Sequence, residues 1–355
     1  MPLACAKVHM KRETTVFSRY TIALLASALP AVMLLCICLG SAVIPISETL
    51  QVLWRGALGQ EQQAGTAWRI IINSRLPRVL CVALVGAALS LSGGAMQGLL
   101  RNPLADGSTL GVTGGASLGA VLALALGIRI PGTANGGVML MAMLFSFLSL
   151  LLILAMAYGL DRSLSTNSII LIGVIFSMLA SSIISLVISF SHEHLKSITF
   201  WTMGSLSGSN YGYAGILALA LLVCGGVILR YSRELDAFAI GEENARHIGV
   251  PVKRVKLMLL IAVSVLIGVC VSIAGTIAFV GLVIPHMTRM LTGPNHGRLL
   301  PCSLLSGAIF LLLADLVART VLSPAELSIG VVTSLVGAAA FILIFYRTRK
   351  AGKAC

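Results

Sequence analysis

Charge is what this 355-residue sequence has least of. Asp, Glu, Lys and Arg make up 10% of it, against 57% hydrophobic residues and a mean hydropathy of +0.99. Soluble domains carry about 25% charged residues, so this composition belongs to a polytopic membrane protein. A net charge of +13 in a soluble protein would raise nucleic acid as a partner. Here the positive residues sit mostly in short loops, which is a topology signal, and no nucleic-acid partner is expected. Acidic residues number only 12, and that scarcity argues against a site for a bare metal ion. No G-x-x-x-x-G-K-[ST] occurs, so the chain has no P-loop to cradle ATP phosphates. LSGG at 91–94 lies inside an apolar run and is spurious as an ATPase signature. There is no C-x-x-C, and most of the eight cysteines sit in apolar runs as small apolar residues. The first apolar run, 20–44, is longer than the roughly 7–15 residues of a signal-peptide core. It reads as a retained helix softened at Pro30, behind a cytoplasmic tail of residues 1–19.

Long apolar runs are what the sequence has in place of charge. They fall near 20–44, 79–100, 108–128, 137–160, 168–190, 211–229, 257–276, 279–293, 299–318 and 328–346. A crossing needs about 20 residues. The uncharged stretch Leu257–Pro285 is too long for one crossing, and Gly275 and Gly281 suggest a break within it. The expectation is an all-α protein of about ten transmembrane helices in one domain spanning 1–355. With the amino terminus in the cytoplasm, 18 of the 25 Lys and Arg residues lie inside, among them Arg101, Arg230, Arg246 and Arg289. Arg55, Arg69, Arg75, Arg78, Arg129, Lys196 and Arg319 lie outside. That bias puts both termini in the cytoplasm.

The second run, opening at RLPR (75–78), breaks at Asn102-Pro103 and restarts as a glycine-rich run in which Gly111, Gly115 and Gly119 share one helix face. Small residues at that spacing let another backbone approach closely. A shift of 182 residues aligns Gly86 with Gly268, Ser90 with Ser272, Gly93 with Gly275, Leu100 with Leu282, Pro103 with Pro285, Gly111 with Gly293, Gly115 with Gly297 and Leu118 with Leu300. The second and seventh spans run in opposite directions, so this is an inverted repeat, a common transporter plan. It pairs the two Pro-interrupted elements, 100–120 and 279–297, and so marks Asn102, Pro103, Gly111, Gly115, Pro285 and His286 as candidate pathway residues.

The longest polar stretch is 230–256. In it Leu235, Phe238, Ala239 and Ile248 can line one side of a short helix, with Glu242, Glu243, Asn244 and Arg246 largely on the other. Gly249 and Pro251 stop it. Its acidic residues fit a docking helix for a soluble partner better than a lipid-surface helix; a plain solvated loop is the bland reading. Asp315 and Arg319 stand at i and i+4, as an intrahelical ion pair or, alternatively, a proton or substrate site. Arg319, Arg75 and Arg78 form an outward cluster against the positive-inside trend, suited to acidic residues of an external partner. His192 and His194 lack the further ligands a metal relay would want. His286 and Arg289 read first as packing or capping. Ser163, Ser165, Thr166 and Asn167 either begin the fifth span or form a constriction.

Four strings, taken with their order and spacing from Arg75 to the end, resemble the FecCD-type permeases of ABC importers for iron chelates, haem and cobalamin. They are RLPR…SGGAMQGLLRNPLADGSTLG (75–111), AIGEENARHIGV (239–250), AGTIAFVGLVIPHMTRMLTGPNHGRLLP (274–301) and LLLADLVARTVLSPAELSIGVVTSLVGAAAF (311–341). The resemblance implies the type II importer fold in a bacterial or archaeal plasma membrane. It implies a homodimer or pseudo-dimer of permeases, two cytoplasmic ATPase subunits that hold ATP and Mg, and an extracytoplasmic substrate-binding protein. No cofactor is bound by this chain and no metal site is expected. Residues 239–250 would be the coupling helix, with Ala239, Gly241, Glu242, Glu243, Ala245, Arg246 and Gly249 at the ATPase. Arg75, Arg78 and Arg319 match the arginines that pair with glutamates of the binding protein. Ser165 and Thr166, followed by Asn167, match the inner gate. The chain departs from the family at Gly107, Ser328 and Ala339, where Pro is usual, at Asn295 for Asp, and at Gly115 for Ser. The expected function is import of a ferric siderophore, ahead of haem and cobalamin, by alternating access. An ion-coupled carrier without an ATPase is the alternative; it would want unpaired acidic residues at the midplane.

Overall fold

A backbone crossing lipid must satisfy its own hydrogen bonds, so each apolar run has to be helical. The computed structural model describes residues 2–40, 44–59, 65–107, 109–131, 135–162 and 165–351, with side chains outside 2–19, 57, 345 and 347–351. Among the described residues there are fourteen helices and no strand. They are α1 (Pro2–Cys38), α2 (Ile46–Ala57), α3 (Thr66–Leu99), α4 (Val112–Ala125), α5 (Gly136–Leu160), α6 (Thr166–Phe190), α7 (Leu195–Thr202), α8 (Tyr211–Arg230), α9 (Ser232–Ala239), α10 (Glu242–His247), α11 (Val252–Ala274), α12 (Val280–Thr292), α13 (His296–Thr320) and α14 (Ile329–Ala351). Seven are long and apolar enough to cross a bilayer. With the shorter α4, α12 and α14 they stand where the ten apolar runs lie. The helical backbone of α1 starts at Pro2, ahead of the expected boundary at residue 20, and Pro30 lies inside it without ending it.

Helices α3 and α11 form the buried axis, 83% and 72% buried, while α1, α6 and α8 expose most of their apolar surface. α3 packs against α13, α12 and α11, and α4 against α5 and α6. Two crossings explain the glycines. A Cβ at Gly86 would run into the Gly307 carbonyl of α13, and one at Gly268 of α11 would run into the Ser146 hydroxyl of α5. Gly86 and Gly268 are thus equivalent at an offset of 182, as the repeat requires.

Beyond them the offset shortens. α4 and α12 begin 168 residues apart, at Val112 and Val280, each after a left-handed residue, Gly111 (φ 72°) and Phe279 (φ 68°). α5 and α13 begin 160 residues apart, follow Asn135 and Asn295, and are each 25 residues long. Four crossings, α4, α5, α6 and α8, lie between α3 and α11, an even number, so α3 and α11 run in opposite senses. The pairings of Leu100 with Leu282, Pro103 with Pro285, Gly111 with Gly293, Gly115 with Gly297 and Leu118 with Leu300 therefore do not join equivalent elements. Connections of different length shift the register, and a fixed offset follows only α3 and α11.

Both breaks are present. α3 stops at Leu99, Arg101 takes a left-handed φ of 50°, and the Asn102 carboxamide oxygen accepts from the Leu104 N–H (2.9 Å). The second break is at Gly275–Phe279, not at Pro285, which lies inside α12. Gln97 of α3 donates to the Leu282 carbonyl of α12 (3.0 Å), tying one broken element to the other. A π-helical turn at Ile71–Arg75 precedes Pro77. Proline cannot donate a helix bond and crowds the carbonyl four residues back, and the wider turn relieves this.

Candidate functional site

Two clusters of charge stand at opposite ends of α3. At its Leu99 end, the polar stretch 230–256 folds as two helices rather than one. Ile240 and Gly241 separate them, with Gly241 at φ 108°, a conformation open to glycine. Leu235 and Phe238 of α9 are fully buried, on a helix packed against α3 and α13. Ala239, the last residue of α9, and Ile248, just past α10, were expected on that apolar side and are exposed.

Glu242 opens α10, where a carboxylate also suits the helix dipole. Its Oε1 accepts from Lys256 Nζ of α11 (2.8 Å) and from Thr166 Oγ1 of α6 (2.9 Å). Lys256 is 1% exposed, so this carboxylate is the anion that makes the ammonium tolerable there. Burial alone would raise the Glu242 pKa. The Lys256 hydrogen bond and charge, the Thr166 hydroxyl and the Arg101 guanidinium outweigh it and hold the carboxyl below its usual range. Glu242 thus faces inward, not outward with Glu243 as the sequence suggested.

Ser165 caps α6 by accepting from the Ser168 N–H (3.3 Å). Ser165, Thr166 and Asn167 share a cleft of about 460 Å³ with Arg101, Gly241, Glu242, Glu243, Asn244 and Arg246. The structure therefore joins the expected coupling helix to the expected gate turn through one carboxylate. Glu243, Arg246 and Gly249 remain exposed, and Ala245 is buried. Ser163 lies outside the described residues.

At the other end of α3, Asp315 is buried between two arginines. Arg319 Nε lies 2.9 Å from its Oδ2 and Arg78 Nη2 lies 2.9 Å from its Oδ1. The i, i+4 pair read from the sequence is present, with a second cation added. Arg75 Nη1 donates to the carbonyls of Ile37 (2.8 Å) and Cys38 (3.0 Å), and Arg319 Nη2 donates to that of Cys36 (3.1 Å). These are the last carbonyls of α1, which lack helical partners and carry the negative end of its dipole. The three arginines do converge, but Arg75 and Arg319 are buried as caps on α1. Arg78 alone reaches the surface, and Glu326 already occupies it at 2.9 Å.

Of the remaining sequence-selected residues, Gly111 caps α4 and Gly115 packs against Ser149 and Phe145 of α5. The His286 ring sits 6.3 Å from that of Phe341. His192–His194 form a 3₁₀ turn. Cys36, Cys38, Cys81, Cys224, Cys270 and Cys302 are buried free thiols, and no three His, Cys, Asp or Glu side chains converge among the described residues.

Sequence reasoning missed Lys256 and Glu326 as partners, and also the Asp236 cluster. Asp236 accepts from the His296 backbone N–H (2.8 Å), pairs with its ring (2.7 Å) and accepts from Asn295 Nδ2 (3.0 Å). The amide at 295 donates where an aspartate would set two carboxylates face to face. Lys256 had one visible signal, the last of three cations before an apolar run; Glu326 had none.

The family model for the FecCD transport family matches residues 28–347. An ABC transporter permease of Bacillus subtilis, YvrB, is 43% identical over 88% of this chain and 90% of its own length. The molybdate import permease MolB of Haemophilus influenzae is 36% identical over 88% and 91%, and the vitamin B12 import permease BtuC of Klebsiella pneumoniae is 38% identical over 90% and 91%. A solved metal-chelate type ABC transporter, in an inward-facing conformation, superposes with a TM-score of 0.81 at 33% identity, covering 92% of this chain and 98% of that one. With two broken helices in an inverted repeat, a match over most of its length and relatives that are importer permeases, this chain belongs to the FecCD transport family.

Proposed function

We propose that this permease imports a ferric siderophore, working as a homodimer with two ATPase subunits and an extracytoplasmic binding protein. The amino terminus lies in the cytoplasm, so the Glu242 end faces the ATPases and the Arg78 end faces the binding protein. ATP and Mg are held by the ATPases alone. Closure of the ATPases moves α10, and Glu242 carries that movement to Thr166 at the start of α6 and to Lys256 at the start of α11. The observation that carries this reading is the single carboxylate bonded to both of those helices from α10.

Cargo release follows docking at the other end. An acidic residue of the binding protein takes Arg78 from Glu326 while Arg75 and Arg319 hold α1. The cargo is a chelate because the pathway offers few carboxylates for a bare ion. Relatives named for molybdate and vitamin B12 show how far cargo differs within the family.

The test is uptake by proteoliposomes holding permease, ATPase and binding protein, offered labelled ferric siderophore, haem, cobalamin and molybdate in turn. ATP-dependent uptake of the siderophore is expected. Uptake of another cargo instead would overturn the cargo, and uptake without the ATPase would overturn the mechanism.

A further inference from the structure

The segment between the first two crossings forms α2, a helix with three distinct sides. At about 100° per residue, Thr49, Val52, Leu53 and Gly56 fall on one side. Thr49 and Val52 are buried, and the helix rests on α1 and the π-helical turn that opens α3. Ser47, Glu48, Gln51 and Arg55 are exposed on a second side. The third carries Ile46, Leu50 and Trp54, continued by Leu58 just past the helix end, and every one is exposed; Trp54 is 69% exposed. Four large apolar groups spaced by four are an uncovered stripe.

We propose that α2 is an interfacial anchor whose Ile46–Leu50–Trp54–Leu58 stripe is buried in the acyl and headgroup boundary of the leaflet at the Arg75 end. Three observations favour lipid over a docked protein. The stripe adjoins the face packed on the bundle, and α1, on which the helix rests, leaves Leu34, Leu35 and, just past its end, Leu39 exposed as well. Its depth fits. α3 has 34 residues and is roughly 50 Å long, some 20 Å more than a hydrocarbon core, so helices packed on its first turns lie near headgroup level. The chemistry fits as well. The helix carries one acid and one base, Glu48 and Arg55, which offers no charge pattern to a protein partner. Tryptophan, with an apolar body and a polar N–H, is at home in that layer. The anchor would brace the π turn that sets Arg75 beneath the α1 terminus.

The experiment reads Trp54 emission in the whole permease. The chain has three tryptophans, Trp54, Trp68 and Trp201, so the difference between wild type and Trp54→Phe in phosphatidylcholine vesicles reports Trp54. Acyl-brominated phosphatidylcholine should remove more than half of that difference, and aqueous iodide should remove little. Leu50→Trp in the Trp54→Phe background should restore a bromine-quenched signal. Emission quenched by iodide and untouched by brominated lipid would overturn the proposal. So would emission shielded only after the binding protein is added, which would make the stripe a protein-docking face.

Discussion

Each end of α3 holds a buried ion cluster built around one carboxylate, and the two differ in what they tie together. Asp315 joins long helices, α3 and α13, while Arg75 and Arg319 beside it cap α1. Glu242 joins a six-residue helix, α10, to the first turns of α6 and α11. The first cluster is 1–11% exposed at Asp315, Arg319 and Arg78 and has no short element to move. The second opens into a cleft lined by the exposed Glu243, Asn244 and Arg246. The same chemistry makes a fixed corner in one place and, in the function proposed above, a transmitting joint in the other.

The largest effect should come from breaking the fixed corner. Asp315→Ala leaves the buried Arg319 guanidinium without its carboxylate and Arg78 with Glu326 alone, and is expected to cost about 3–5 kcal/mol. Thermal unfolding of the purified permease in detergent would record it as a large drop in Tm, and a small drop would show that the corner is not structural. Breaking the joint should instead spare the fold and spoil function. Glu242→Gln, with a less severe loss at Lys256, is expected to leave ATP hydrolysis by the assembled complex but lower cargo moved per ATP severalfold. The double variant Glu242→Gln, Lys256→Met should regain stability without regaining coupling, since removing both charges removes the uncompensated one. Recovery of coupling in the double variant would mean that the pair only stabilises.

Smaller effects sharpen the contrast. Glu326→Gln frees Arg78 from a partly exposed ion pair, a change worth about 0–1 kcal/mol. Binding-protein affinity should rise up to about fivefold, measured by surface plasmon resonance on nanodiscs; weaker docking would make Glu326 part of the docking surface instead. The pH dependence of coupling should be smaller still. The Glu242 pKa is depressed in the fold, so its contribution is present above its unfolded value and is lost as pH falls through the folded value. Coupling should therefore be flat from neutral pH down to about 5 and fall only below about 4. A fall already at pH 6 would place the responsible group elsewhere.

The helices at the ten apolar runs, seven of them long enough to cross a bilayer, were legible in the sequence because an apolar run has no alternative to helix at membrane depth. The ion pair of Asp315 with Arg319 was legible because it is local, and 239–250 and Ser165–Asn167 stood out as separate polar segments. Their meeting was not, because Thr166 and Lys256 lie 76 and 14 residues from Glu242. The inward turn of Glu242 depends on the left-handed Gly241, which sequence periodicity passes over. The burial of Arg75 depends on a π turn and on carbonyls at the end of α1, neither of which has a side-chain signature. α2 went unread because it is short and too polar overall for a crossing, yet apolar on the side that counts.

The central claim is that Glu242 links the ATPases to the pathway. The most direct test is the ratio of cargo transported to ATP hydrolysed in proteoliposomes, compared for wild type and Glu242→Gln at equal ATPase assembly. The proposed joint predicts a ratio that falls severalfold while hydrolysis continues. An unchanged ratio would contradict it and leave Glu242 as a packing residue of the Lys256 pocket.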